Sequence, residues 1–297
     1  MHGWHSCVCA GRRALWPAST VWRALSLTGA LLLAVAAGAD VVDLAELQVQ
    51  IQSPSPEVRI KAATALGETR SEAAVSILAA ALAREESVSG HGVVSPKWPM
   101  LRALGTIGGD DARDALLLIL DQYLQRGPSD SRYIQNDADY NLVVTSAIFV
   151  LTQWHEEPGV VERLRALVTD QSEPRKLAPW MREEAYKGCL LAEMAQAGLS
   201  TPAERATWLV TRVTGIGTGH ASDWVPGMTG EKTPEVIRNA AMLRLLSEQG
   251  PEALAVVRSA LVEAPDDDYE RVEALARVII MICRTQSTSA EPGIGDQ

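Results

Sequence analysis

The chemically best-equipped stretch of this chain runs from Thr214 to Thr233, TGIGTGHASDWVPGMTGEKT. His220 and Asp223 could ligate a metal or work as an acid–base pair, because imidazole and carboxylate exchange protons near neutral pH. Gly215-x-Gly217-x-Gly219 is a loose form of a phosphate-cradling loop, but no strand precedes it and Gly-Lys-Ser/Thr is absent. Two ligands without a third do not make a site. The segment is expected to be an interaction loop or a plain connector, ahead of a metal or catalytic site. His155-Glu156 is the one His-Glu pair and falls in a turn between helices. Asp137-x-Asp139 hints at calcium, yet the spaced oxygen ligands and closing Glu of a calcium loop are missing. Gly-x-Ser-x-Gly and His-Glu-x-x-His do not occur. The expectation is therefore a chain that is not an enzyme and holds no metal or cofactor. The alternative is a metal-dependent or ligand-processing enzyme built around His220 and Asp223.

Tryptophan offers a second kind of chemistry, that of recognition. Trp98, Trp180 and Trp224 each sit near Pro and Met, as in Trp98-Pro99-Met100 and Pro179-Trp180-Met181. If the helices stack in register, these rings line one edge, and Trp is enriched where binding energy concentrates. The competing expectation is that each ring plugs a helix start against its neighbour. With His220 and Asp223, these three make up the candidate protein-binding set. Glu183 and Glu184 beside Arg182 and Lys187 read as a solvated helix face. Cys189 and Cys283 lie in apolar helical stretches and read as buried thiols, with a single bridge as the alternative.

Such residues need a scaffold, and the rest of the chain reads as helix. Ala and Leu dominate, and eight Trp accompany a single Phe. Val42, Leu44, Leu47 and Ile51 form a short periodic segment, broken at Ser53-Pro54-Ser55-Pro56. From Pro56 to Glu85, Val58, Ala62, Ala65 and Leu66 share one face at helical spacing. Pro56 suits the helix start, and Gly67 the end. Ser71 suits the cap of a second helix whose inner face carries Ala74, Ile77, Leu78, Ala81 and Leu82. The helix pair recurs. Pro234-Glu235-Val236 repeats Pro56-Glu57-Val58, and Pro251-Glu252-Ala253 opens its partner. Residues 97–124 give another copy, with Leu104-Gly105 against Leu66-Gly67 and Asp110-Asp111 capping the second helix. Weaker copies cover 139–169 and 180–213. Leu66, Leu104, Leu151, Leu191 and Leu245 are separated by about 38 to 54 residues, around the ~40–47 of HEAT and armadillo units.

Residues 56–85 resemble the HEAT-like repeat first described in phycobilisome lyases, through Val58-Arg59, Ala62-Ala63 and Ala65-Leu66-Gly67. The resemblance is fair at 97–124 and 234–261 and weak elsewhere. It implies an all-α, α-α superhelix (a HEAT/armadillo-like solenoid) of about five helix pairs and a tendency to bind proteins. It does not carry lyase chemistry, because one fold hosts many functions. HEAT-repeat hydroxylases resemble this fold too, but hold di-iron with several His-Glu pairs, and His155-Glu156 is one.

The first 39 residues differ from everything after them. Arg12, Arg13 and Arg23 come with no acid, then an apolar run from Leu25 through Ala37, then Gly38 and Ala39. That order predicts a secretory signal cleaved before Asp40, with Ala34-Val35-Ala36 as the alternative site and an uncleaved membrane anchor as the alternative fate. The run is shorter than the ~18–20 residues of a spanning helix. The stretch before Val21 is long for a signal, which fits translation starting downstream. Cleavage would leave a chain still more acidic than the net −10 of the whole. Such charge disfavours nucleic acid and anionic membranes as partners. The expected organisation is a signal at 1–39, a repeat array at 40–284 closed by an apolar helix near 268–284, and a disordered tail at 285–297. The expected place is periplasmic or secreted, and the expected partner is a protein.

Overall fold

A computed structural model describes residues 43–85, 95–129, 137–169, 177–213, 234–265 and 267–289. The expected signal at 1–39 lies outside these residues. The described residues are all helical, with twelve α-helices and no strand. In chain order they are α1 (Leu44–Gln50), α2 (Pro56–Glu68), α3 (Glu72–Arg84), α4 (Lys97–Ile107), α5 (Gly109–Arg126) and α6 (Ala138–Leu151). A 3-10 turn, Thr152–Trp154, leads to α7 (Pro158–Thr169), α8 (Pro179–Gln196), α9 (Pro202–Val210), α10 (Pro234–Glu248), α11 (Pro251–Glu263) and α12 (Tyr269–Ser289). The last helix continues past Arg284 into the segment expected to be tail.

Local chemistry sets many of these boundaries. The Ser55 hydroxyl accepts from the Val58 amide, and Pro56 opens α2 at a position where its missing N–H costs nothing. Thr201 and Glu204 form a reciprocal capping box at α9. Asp137 caps α6 by accepting from the Tyr140 amide. Two expected caps differ. Ser71 precedes α3 without a side-chain bond. Gly108, at φ 71°, precedes α5, so Asp110 and Asp111 occupy its first turn instead, where carboxylates favour the positive helix end.

Helices pack on those one or two places away in chain order: α2 on α4, α4 on α6, α6 on α8, α8 on α10 and α10 on α12 form one row. On the other side α3 meets α5, and α9 meets α11. Glycine makes the first approaches close. Gly67 is buried inside α2, and a Cβ there would lie 3.0 Å from Ala103 Cα of α4. Gly67 is therefore not the helix cap its sequence context predicts; Thr69 is the cap residue. Gly105 repeats the arrangement one unit on, where a Cβ would meet Val150 Cγ1 of α6 at 2.5 Å. Lys97 meets Asp139 at the helix starts and Gly105 meets Val150 near the ends, so α4 and α6 run the same way. Between α8 and α10 the sense reverses. Glu193, late in α8, meets Arg238 early in α10, while Glu184 and Lys187 meet Arg244 and Glu248 further on.

The buried apolar side chains form two clusters. One extends from Leu47 to Cys189, and the other from Leu190 to Ile282. The boundary falls within α8.

Candidate interaction surface

Trp98 and Trp180 occupy the second positions of α4 and α8, and both are half-buried against the first core cluster. Each is thus anchored at its helix start, as a plug would be, while keeping exposed ring surface. The partner ring of Trp98 is Phe149 of α6, at 5.8 Å between centroids and tilted by 59°. That offset geometry suits the quadrupoles of two aromatic rings. Phe149 remains 37% exposed. Lys187 Nζ of α8 stands over it at 5.8 Å, within cation–π range. Trp224, His220 and Asp223 lie outside the described residues.

From Lys187 the contacts turn ionic. Its ammonium donates to Glu248 at 2.9 Å and lies 3.6 Å from Glu184. Arg244 reaches Glu184 at 2.9 Å, Glu248 at 3.3 Å and Glu183 at 3.7 Å. An aromatic-to-ionic seam therefore crosses α4, α6, α8 and α10. The sequence expectation of a solvated face around Glu183, Glu184 and Lys187 is corrected here. Glu184 and Lys187 are buried, because α10 covers this side of α8. Pairing across the seam offsets much of the burial, with Arg244 on one oxygen of Glu184 at 2.9 Å and the Lys187 ammonium 3.6 Å from the other.

A second polar cluster joins α4, α5 and α6. Lys97, almost fully buried, donates to Asp139 at 2.5 Å and to the Tyr123 hydroxyl at 3.2 Å. Arg126 stacks over the Tyr123 ring at 4.6 Å and lies 3.5 Å from both Asp137 and Asp139. Burial raises the Tyr123 phenol above its ordinary value, against the opposing pull of Lys97. Burial alone would raise Asp137 too, but hydrogen bonds from the Tyr140 and Ser129 amides and the Arg126 charge hold it below. The Asp137-x-Asp139 pair that hinted at calcium is thus occupied by protein cations and amides.

His155 lies in the turn after the 3-10 segment, where its Nδ1 donates to the Thr152 carbonyl at 3.0 Å. It borders an open cleft of about 400 Å³ with Glu156, Arg165 and Gln196. A second cleft, about 500 Å³, lies beside the α1–α2 turn, where Arg59 pairs with Glu85 and donates to the Ser53 and Pro54 carbonyls. Among the described residues no group of three or more His, Cys, Asp or Glu could hold a metal ion, and no helix is long and apolar enough to cross a membrane.

Neither Cys189 nor Cys283 is disulfide-bonded. Cys189 is buried as expected, and burial pushes its thiol up to about 11. Cys283 is exposed, which corrects the buried-thiol expectation: the inward face of α12 is set by Ala274, Leu275, Val278 and Ile282.

Phe149 is the exposed residue of this group that sequence reasoning passed over. In α6 apolar residues surround the whole helix, so periodicity marks no outward face on which Phe149 would stand out. Its being the chain's single Phe was the one signal available. Comparison with known proteins finds no matching family model, no matching curated protein and no matching solved structure.

Proposed function

We propose that this chain is an exported, non-enzymatic scaffold of HEAT type, an α-solenoid of about five helix pairs that holds a protein partner. Packing between helices one or two places apart supports the repeat architecture, since stacked repeats touch only their neighbours and leave an extended surface. The recurrence of Gly67 and Gly105 at the approach to the next row helix supports it as well. The rhythm is most regular from α2 to α8, and the reversed α10 is accommodated as the variation that terminal repeats carry. Export rests on the order of basic, apolar and small residues before Asp40.

The observation that carries the binding reading is the half-exposed Trp98–Phe149 pair, capped by Lys187. Aromatic rings anchored on one side and open on the other lose little freedom on binding, and they are enriched at interfaces. Its test is a crosslinked pull-down from the native envelope fraction, with residues 40–297 as bait beside a variant carrying Trp98→Ala, Phe149→Ala, Trp180→Ala and Trp224→Ala. A stable partner held by the parent and lost by the folded variant is the expected result. Specific partners absent from both, or retained equally by both, would overturn the assignment of this surface.

A further inference from the structure

The two apolar clusters share α8 as a common wall. Met181, Ala185 and Cys189 belong to the first, and Leu190 and Met194 to the second. Tyr186 is half-buried against both. Beyond the second cluster's own contacts with the late half of α8, the early half meets α10 through charges. Those are the contacts of Lys187 and Glu184 with Arg244 and Glu248, with Glu183 at the rim.

This seam differs from the ion pair in the first cluster. Lys97, Asp139 and Tyr123 satisfy one another within one core. In the seam, Glu184 and Glu248 share Lys187 and Arg244, and Arg244 also lies 3.7 Å from Glu183. Glu184 Oε1 is buried with no hydrogen-bond partner, its nearest cation being the Lys187 ammonium at 3.6 Å. A buried carboxylate oxygen held only at that range is under-satisfied, and opening the seam to water would hydrate it. The closed arrangement thus gains less than an apolar or fully bonded interface would, and the charges sit where opening relieves a cost.

We propose that this seam is a conformational latch, and that α9 to α12 form a unit that opens away from the early half of α8 when the seam is broken, while α2 to α7 stay folded. Cooperative opening of contiguous segments at less than the global cost is a general property of folded chains. Here the division follows from the split core and the ionic joint across it. The inference is independent of what the surface binds.

Amide hydrogen exchange of the full chain, read helix by helix, tests it. Arg244→Gln removes the cation that contacts all three carboxylates. Exchange in α9–α12 is then expected to rise about tenfold or more while α2–α7 change by less than about twofold. Should that variant fail to fold, Arg244→Lys, which keeps the charge but loses the reach to all three carboxylates, is measured instead, with the same pattern at about threefold. A rise of equal size in both halves would show one cooperative unit and overturn the latch. So would no rise in α9–α12.

Discussion

Lys97 is a cation taken almost wholly out of water, and its partners decide whether the three helices around it hold together. Its pair with Asp139 does not by itself argue for net stability, because desolvation cancels much of the attraction. Breaking it is another matter, since the buried Asp139 then loses the nearer of its two cations and keeps Arg126 at 3.5 Å and the Tyr123 hydroxyl. Lys97→Met is therefore expected to cost about 3–5 kcal/mol in urea unfolding. Adding Asp139→Leu should recover most of that loss. If the double variant is as unstable as the single one, the pair does more than neutralise itself. Asp137 adds a pH dependence nearby. Its folded carboxyl is depressed, so its contribution is fully present above the ordinary value of 3.8 and is lost as pH falls through the lower folded value. Asp137→Asn should therefore flatten the stability profile below about pH 4 and remove stability above it. The thiols give a simpler readout. With Cys189 pushed up to about 11 and buried, iodoacetamide at pH 8 should label Cys283 but spare Cys189 in the native form of residues 40–297, and label both in denaturant. Equal native labelling would mean that α8 is not covered as described.

At the scale of the element, glycine carries the most information. Gly105 faces Val150, whose β-branched side chain has one strongly favoured rotamer in a helix and cannot easily give way. Gly105→Ala is expected to destabilise by about 1–3 kcal/mol, the usual cost of overpacking. Gly159, exposed in the first turn of α7 with open space about its Cβ, serves as the control. There, Ala should stabilise by about 0.4–1 kcal/mol, because the unfolded chain loses freedom. Thermal unfolding of the two variants should move in opposite directions; movement in the same direction would sink the close-approach account of Gly105. The same residues mark how far the sequence could be read. Helix periodicity, Pro56 and the Leu-Gly recurrence were legible because they act within a helix or between neighbours. The role of Gly67 was misassigned, since a glycine at a helix end and one pressed against Ala103 look alike until the partner is placed. Glu184 and Lys187 were misread for the same reason: the helix that buries them, α10, lies beyond Thr233 in the chain. Of the proposed surface, Trp98 and Trp180 were legible as rings at helix starts, while Phe149 was hidden in a helix with apolar residues on every side.

For the whole molecule, the contact pattern has an energetic consequence. Where helices touch chiefly those one or two places away, a perturbation at one end has few routes to the other. Leu66 in α2 and Leu275 in α12 are both fully buried and belong to different clusters. Truncating either to Ala should cost about 2–5 kcal/mol. In the double variant the two losses should add to within about 0.5 kcal/mol, because the sites share no partner. Exchange protection should fall mainly around the truncated helix: α2 to α5 for Leu66→Ala, and α10 to α12 for Leu275→Ala. A single cooperative body would behave differently in exchange, spreading each loss of protection over all its helices, while sites that share no partner add in either case. Local loss of protection on top of that additivity would mark a chain whose ends respond separately. Such a chain can adjust one part of its surface while the rest keeps its shape, which suits holding a large partner along its length. Protection lost equally around both clusters in either single variant would instead describe one cooperative body and remove the physical basis for separate responses.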